Sequence, residues 1–532
     1  MKKKILITGA LHQVAFDILD SDPTIEYDYK VDIPREELVS IIGNYDCHIS
    51  RSESDVDFEL LSHADKLSVV ARAAVGIGNI DVEEATKKGI LVFNTPGKNT
   101  NSAAELTLML MLAVMRNLIK AHNSMAANKW NRHTFNGTEL LGKKIGIIGL
   151  GNVGHRVARF CNAFDCDVVS YDPYVTAEYC NSHNAAPVSL EEMCKTCDVI
   201  TIHTPKNAET VNMIGAKEIA MMKDGVILIN AARGGLYNEG AVADGLESGK
   251  IHGLGLDTWD KEPVVEHPLK KFENVVMTPH IGASTLEAQF RIGSSVAAET
   301  LKALRGDIVA TPVNLPDIGA LSGELAGHYA YLAGKLGSFS RQFMHQEFEP
   351  EQIKFLYRGT LPPEDFALIK MSFIKSFLQG TLDETVSYVN VMQIAETKGI
   401  HIIENEDKDF SDYDSAIRVE VKGGGHSVTI GGTVLGNKRV RLSYLNGFAF
   451  EIDPAGCILS IENQDQPGVI GHVGQVLAEN GVNINRFELS RASQGGAAMA
   501  MVTIDGDANQ KTLDELTANE HINRVQVIHL GN

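Results

Sequence analysis

A chain of 532 residues is too long for one hydrophobic core, so several domains are expected. Lys and Arg number 48 against 68 Asp and Glu, a net charge of −20, which disfavours nucleic acid and anionic membrane surfaces as partners and requires any anionic substrate to meet a local cluster of Arg or Lys. Seven cysteines, an odd number scattered without a dense framework, fit a reducing cytoplasm better than a disulfide-stapled secreted fold.

The apolar run Ile5 to Ile7 reads as a first strand, too brief for the core of a signal peptide. Residues 1–100 alternate short apolar strands with helical patterns, the rhythm of an α/β domain with a parallel sheet. One long helix is expected over residues 102–129, apolar on nearly every side at first and therefore covered by other protein. Its most apolar part, residues 106–115, is about half the length that spans a bilayer and is flanked by Glu105 and Arg116. Residues 144–150, 167–171, 199–203, 226–230, 253–257 and 275–277 read as six strands of a doubly wound sheet. A helix over residues 286–304 then ends in a linker marked by Pro312, Leu315 and Pro316. Residues 316–453 mix helical runs (332–344, 367–378, 389–397) with strand patterns at 417–421 and 428–431, an α+β domain. Residues 456–532 follow a βαββαβ order, the ferredoxin-like pattern.

Gly149-Leu-Gly151-Asn-Val-Gly154 follows the apolar strand at 144–148 and opens a helix. A glycine triplet alone is weak, since such triplets also occur in ordinary turns. Here Asp172 stands 18 residues after Gly154, at the end of the next strand, where a carboxylate accepts both ribose hydroxyls and repels a 2′-phosphate. The pyrophosphate would sit on the backbone N–H groups at the helix N-terminus. A dinucleotide site, with NAD favoured over NADP, outweighs the reading of a structural turn plus a surface Asp.

Hydride transfer from an alcohol carbon needs a base for the hydroxyl proton and a cation for the substrate carboxylate. Three strand-end residues qualify: Arg233 in Asn230-Ala-Ala-Arg233-Gly-Gly, Glu262 in Asp260-Lys-Glu262-Pro, and His280 in Thr278-Pro-His280-Ile-Gly-Ala. A planar guanidinium suits a bidentate carboxylate, and an imidazole held by a carboxylate can alternate between base and acid near neutral pH. Taken singly, each also has an ordinary reading: a solvated or ion-paired Arg or Glu, or a His satisfying a local hydrogen bond.

Arg72-Ala-Ala-Val-Gly76-Ile-Gly-Asn79-Ile-Asp81, Asn94-Thr-Pro96, Ser102-Ala-Ala-Glu105, the glycine motif, His203-Thr-Pro205, Asn230 to Gly235, Gly255-Leu-Asp257, Glu262-Pro263 and Pro279-His-Ile-Gly-Ala-Ser284 occur in one order along the chain. In that order they resemble the D-isomer-specific 2-hydroxyacid dehydrogenases. The resemblance implies a Rossmann-type cofactor domain (101–285) inserted in a flavodoxin-like substrate domain (1–100 and 286–312). It implies Arg233 as carboxylate clamp, His280 as acid/base and Glu262 as its partner. It further implies NAD contacts from Val75, Gly149, Gly151, Asn152, Val153, Gly154, Asp172, Thr204, Ala231, Ala232, Arg233, Asp257, His280, Gly282 and Ala283. Where many relatives carry Asp-Asn after the arginine motif, this chain has Gly78-Asn79.

The segment 385–400 resembles the intervening domain of long 3-phosphoglycerate dehydrogenases, and Gln464-Asp-Gln-Pro-Gly468 with Gly481-Val-Asn483-Ile resembles an ACT module, in which an amino-acid effector binds between paired subunits. The resemblance implies oxidation of 3-phosphoglycerate to 3-phosphohydroxypyruvate, the first step of serine biosynthesis, by a cytoplasmic homodimer or homotetramer. It implies phosphate contacts from Arg51 and Arg72, an arginine (Arg132) supplied across a dimer contact, and an L-serine effector held by Asp465 and Asn483. Asn463 stands where relatives often carry His or Tyr. No metal is called for: Cys194-Lys-Thr-Cys197 lies in a helix leading into a strand, with no second pair to complete a zinc site, and reads as packing. Two alternatives stay open: another D-2-hydroxyacid dehydrogenase acting on lactate, glycerate or a phosphorylated sugar acid, and an NADH-sensing relative without enzymatic activity.

Overall fold

A computed structural model describes residues 2–307, 309–315, 323–344, 348–379, 386–407, 413–436 and 438–531. The first sheet contains β1 (Lys3–Ile7), β2 (Ile25–Tyr29), β3 (Cys47–Ser50), β4 (Val69–Arg72) and β5 (Leu91–Phe93), all parallel, in the order β2-β1-β3-β4-β5. That is a flavodoxin-like order. Every residue of β3 and β4 is buried, as expected of parallel strands covered on both faces. The helix Leu286–Arg305 returns from the far end of the second sheet to cover one of those faces, where Ile292 and Val296 pack on Ile5 and Ala71. Arg305 locks the return with a 2.6 Å ion pair to Asp22, and Asn314 continues it by bonding the backbone of Val92 and Ile90.

The second sheet is also parallel throughout: β6 (Lys144–Ile148), β7 (Asp167–Tyr171), β8 (Ala186–Pro187), β9 (Val199–Ile202), β10 (Val226–Asn230), β11 (Ile251–Leu256) and β12 (Val275–Met277), ordered β12-β11-β10-β9-β6-β7-β8. It has seven strands where six were expected. The addition is a two-residue edge strand ending in Pro187, a residue with no N–H to give to a further neighbour. The strand order reverses between β6 and β9, so a crevice opens there at the carboxyl ends of the strands.

The single helix expected over 102–129 is two helices, Thr100–Met115 and Leu118–Ala126, bent by 66°. Asn117 breaks the run by adopting a left-handed conformation (φ 52°), which Asn tolerates better than most residues. The first helix is buried as expected: a side chain at Gly253 or Gly255 would collide with Val114 or Leu110. No single helix among the described residues is long and apolar enough to cross a membrane.

The third sheet holds β13 (Gln352–Gly359), β14 (His401–Asp407), β15 (Ser415–Gly423), β16 (His426–Leu435), β17 (Arg439–Leu445) and β18 (Phe448–Ile452), ordered β14-β13-β15-β16-β17-β18, with only β13 and β14 parallel. The sequence patterns located two of these six strands. The fourth sheet, β19 (Cys457–Gln464), β20 (Asn483–Arg491), β21 (Ala497–Asp505) and β22 (Ile522–His529), is antiparallel in the order β20-β21-β19-β22. The helices Val469–Glu479 and Gln510–Thr517 cover one of its faces. The other face shares a core with the third sheet, in which Ile458, Met501 and Ile528 meet Phe339 and Phe343 of the helix Glu324–Phe343. Pro316 and Thr385, used above to mark a linker and a motif, lie outside the described residues.

Candidate active site

The crevice between β6 and β9 is shaped by its glycines. Gly149 has a left-handed φ of 86°, and a Cβ there would press on His203 and Thr204 at the end of β9. A Cβ on Gly154 would overlap the carbonyl oxygen of Gly149, so the helix Gly154–Ala163 can start this close to β6 only without a side chain. Gly151 differs, because a Cβ there would meet nothing within 4 Å. Its missing side chain leaves open space over the helix N-terminus, where an anionic group can approach backbone N–H donors. Asp172 sits beside this loop, Oδ2 accepting from Leu150 N and Oδ1 from Tyr174 N, each at 2.9 Å. The hydroxyl of Thr204 is buried with no partner. An open cradle, an adjacent carboxylate and an orphaned hydroxyl fit a dinucleotide.

Opposite this cradle, three loops bring Arg233, Glu262 and His280 together. Asn230, buried at the end of β10, wraps the first loop: its Oδ1 accepts from Ala232 N (3.0 Å) and Arg233 N (3.3 Å), and its Nδ2 donates to Arg233 O (2.8 Å). Burial lowers the Arg233 guanidinium below its ordinary range, and the Glu262 carboxylate opposes that shift. Glu262 accepts from Trp259 N at 2.9 Å through Oε1 and meets His280 Nδ1 at 2.8 Å through Oε2. A carboxylate only accepts, so Nδ1 carries the proton and Nε2 of the half-exposed ring presents its lone pair. His280 has φ 55°, an uncommon conformation for a non-glycine residue. Asp257 holds it there: its backbone oxygen accepts from His280 N (2.8 Å), and its buried carboxylate accepts from Thr278 Oγ1 (2.6 Å), Ile281 N (2.8 Å) and Gly282 N (2.9 Å). Asp257, read from the sequence as a cofactor contact, thus has both carboxylate oxygens engaged in shaping the His280 loop.

Arg51 and Arg72 stand at the ends of neighbouring strands β3 and β4. Arg72 is 5% exposed, donates from Nε to Gly76 O at 2.9 Å and leaves Nη1 buried without a partner. Burial pulls its pKa down to about 10, and Arg51 adds to the shift. Arg51 donates to Ala10 O (2.8 Å) and Gln289 Oε1 (3.0 Å). Beyond Arg72 the chain turns so that a side chain at Gly76 would reach within 3.4 Å of Arg233 Nη2, which places Arg72 and Arg233 around one loop. Asn79, part of the Gly78-Asn79 departure, donates to Ser54 O at 2.6 Å and pins that loop next to Arg51. Arg132 lies apart on an exposed 3-10 turn, its Nε paired with the ring of His133 at 3.0 Å.

Asp465 and Asn483 are not brought together within one chain. Asp465 follows β19 at the turn between β20 and β21, accepting from Arg491 Nη1 (2.9 Å) and Gly495 N (3.1 Å), and these bonds hold its pKa below the ordinary carboxylate range. Asn483 opens β20 at the opposite end of the sheet and donates to Asp505 at 2.7 Å. Asn463 is buried near the end of β19 on the Asp465 side, opposite Ala498 of β21. Cys194 and Cys197 are buried free thiols whose pKa values burial pushes up to about 11, the behaviour of packing residues.

Sequence reasoning passed over Asn230 and Trp259 as working residues. Both lay inside quoted or adjacent motifs, yet their roles are hydrogen bonds to loop backbone, which no residue spacing reveals.

Comparison with known proteins assigns three regions of the chain to known domain families. Residues 108–282 match the D-isomer specific 2-hydroxyacid dehydrogenase NAD binding domain, residues 326–446 the D-3-phosphoglycerate dehydrogenase intervening domain and residues 458–521 the ACT domain. Among solved structures, the TT0316 protein of Thermus thermophilus is similar at 32% identity and TM-score 0.55, covering 58% of this chain and 99% of that one. A D-lactate dehydrogenase of Aquifex aeolicus, complexed with NAD and lactic acid, is similar at 28% identity and TM-score 0.51, covering 57% and 96%. The chain is a D-isomer-specific 2-hydroxyacid dehydrogenase, an oxidoreductase with an NAD-binding domain. Its similarity extends over the whole length of the D-3-phosphoglycerate dehydrogenases of Methanocaldococcus jannaschii (36% identity, 99% of this chain, 100% of that one) and Bacillus subtilis (35%, 96% and 97%). The chain therefore belongs, within that class, to the D-3-phosphoglycerate dehydrogenase family.

Proposed function

We propose that this protein oxidises 3-phosphoglycerate to 3-phosphohydroxypyruvate. The observation that carries the reading is the Glu262–His280 pair beside Arg233, with Arg51 and Arg72 at adjacent strand ends. Arg233 holds the substrate carboxylate and polarises the carbonyl that forms at C2. Nε2 of His280 takes the C2 hydroxyl proton, and Glu262 stabilises the imidazolium that results. As that proton leaves, the C2–H bond breaks with its electron pair; bound NAD supplies the two-electron acceptor for this hydride. Gly149, Gly151 and Gly154 with the N–H groups of Asn152 and Val153 would hold the pyrophosphate and Asp172 the ribose. Val75, Thr204, Ala231, Ala232, Asp257, Gly282 and Ala283 would line the remaining length. Arg72, with its unpartnered buried Nη1, and Arg51 would hold the substrate phosphate.

Measuring NADH formation with 3-phosphoglycerate, D-glycerate and D-lactate tests this. The phosphorylated acid should have a kcat/KM at least about tenfold higher, the return on one charge-assisted contact; an equal or lower value ends the proposal.

We also propose that the ACT module senses L-serine. Asp465 and Asn483 stand at opposite ends of one sheet, roughly 25 Å apart at 3.3 Å per residue over β21, so an effector would touch both only where two copies pair. A separate contact between copies, in a homodimer or homotetramer, would give the exposed Arg132 a neighbour's active site to complete. L-serine should slow the reaction of the full-length chain, and Asn483→Ala should blunt that response; inhibition unaltered by the change would place the effector elsewhere. A cytoplasmic setting suits seven cysteines that are all free thiols.

A further inference from the structure

We propose that the end of the fourth sheet carries a binding site for one divalent transition-metal ion of the zinc class, held by the thiolate of Cys457, a carboxylate oxygen of Asp507 and an imidazole nitrogen of His529. These residues are distant in sequence, and three adjacent strands bring them together. Cys457 opens β19 and His529 closes β22, and the two are direct partners in the antiparallel register. Asp507 follows β21, whose Ile504 is the other cross-strand partner of Cys457. The candidate ligand atoms all lie within 4.8 Å of one another. Cys457 Sγ is 4.0 Å and His529 Nε2 3.6 Å from Asp507 Oδ1.

A tetrahedral ion with metal–sulfur bonds of about 2.3 Å and metal–nitrogen and metal–oxygen bonds of about 2.0 Å sets neighbouring donors roughly 3.3 to 3.5 Å apart. The observed spacings close to those values through side-chain rotation at Asp507 and His529, both more than half exposed, while the buried Cys457 stays fixed in the strand. The donor set decides the class of ion. Thiolate with imidazole and one carboxylate suits zinc or cobalt, whereas magnesium and calcium take shells of oxygen. Three protein donors leave a fourth position for water. Ala508 N already donates to Asp507 Oδ1 at 2.8 Å, the kind of outer bond that orients a ligating carboxylate. An exposed His–Asp ion pair beside a core-packed Cys457 is the simpler reading, but that pair is worth less than about 1 kcal/mol and does not account for the approach of Sγ to within 4.0 Å of Asp507 Oδ1.

The location gives the site a consequence. The backbone of His529 is gripped from both sides by Gln342, whose Oε1 accepts from His529 N and whose Nε2 donates to His529 O, each at 2.8 Å. Lys335 donates to the carbonyls of Leu530 and Gly531 just beyond. A bound ion would tie the turn after β21 to the end of β22 and, through His529, to the helix Glu324–Phe343. It would thus stiffen the joint between the ACT module and the third sheet.

The test is a titration of the metal-stripped full-length chain with cobalt(II), followed by thiolate-to-cobalt absorption, then displacement by zinc against a chromophoric chelator. One equivalent per chain is expected. Cys457→Ser should abolish the thiolate band, and Asp507→Asn or His529→Gln should weaken binding by roughly tenfold or more. Far-ultraviolet circular dichroism and a cooperative thermal transition like the parent's show that each variant is folded. Failure of the folded parent chain to take up one equivalent at micromolar metal would overturn the proposal, as would binding that survives all three substitutions.

Discussion

His280 and Glu262 meet at 2.8 Å across two loops, through Nδ1 on the ring and Oε2 on the carboxylate, and that contact fixes which ring nitrogen faces the crevice. His280→Ala is therefore expected to lower kcat by about 10²- to 10⁴-fold, the usual worth of a positioned general base. Glu262→Gln should lower kcat by less, because an amide oxygen still accepts from Nδ1 but no longer balances the imidazolium charge. Steady-state NADH formation measures both, with NADH fluorescence titration to show that the cofactor still binds. Undiminished kcat in His280→Ala would remove the histidine from the chemistry.

Gly151 and Gly154 separate cofactor approach from folding. Gly154→Ala places a methyl group against the Gly149 carbonyl and should destabilise the second sheet by about 1 to 3 kcal/mol, the range for overpacking. Gly151→Ala meets no protein atom, so thermal stability should hold while NADH affinity falls, because the methyl group fills the cradle over the helix N-terminus. Calorimetry of the free chain and NADH titration of both variants would show the two effects apart. Parallel losses in both variants would contradict the assignment of the cradle.

Arg72 is expected to govern substrate choice more than turnover. Its buried Nη1 lacks a partner, and a lost charge-assisted hydrogen bond is worth about 1.5 to 3 kcal/mol. Arg72→Ala should therefore raise KM for 3-phosphoglycerate by roughly 10- to 100-fold, leaving KM for D-glycerate little changed. Arg72→Lys should rescue only part of this, since a lysine cannot keep the Nε bond to Gly76 O and also present a second donor in the same plane. Equal effects on the two substrates would place the phosphate elsewhere.

Most strands of the second sheet, and the loops after them that carry Arg233, Glu262 and His280, were legible because parallel strands buried on both faces read as continuous apolar runs, whereas the mostly exposed β2 and the two-residue β8 carry no such run. β14, with sequence HIIENED and mostly exposed, escaped because an edge strand of that composition resembles a polar loop. β17 and β18 are short strands joined by a tight turn at Asn446 and Gly447, without a long apolar run. The break at Asn117 was hidden because the residues on either side continue a helical pattern, and one left-handed residue carries no periodic signature. Asp465 and Asn483 had suggestive spacing, yet their placement at opposite ends of the sheet depends on strand pairing that spacing does not encode. Cys457, Asp507 and His529 were invisible as a group for the same reason.

Behind Arg72 lies a pH dependence of stability. His48 is fully buried, its Nε2 2.9 Å from Thr8 Oγ1, which in turn accepts from Ser54 Oγ at 2.9 Å. Burial first, and the charge of Arg72 second, lower its pKa from 6.5 to about 4. Between those two values the unfolded chain holds a proton that the folded chain excludes, so folding stability is complete above the unfolded pKa and declines as the pH falls toward the folded one. His48→Gln keeps a hydrogen-bonding group for Thr8 but cannot titrate. Relative to the parent, its unfolding free energy should fall less steeply with acid, by about 1 kcal/mol per pH unit around pH 5, and the two slopes should coincide above about pH 7. Urea-dependent hydrogen exchange of the β1 and β3 amides, compared between parent and variant at each pH, reads this slope locally. Matching slopes near pH 5 would show that His48 takes up a proton in the folded state as readily as in the unfolded chain.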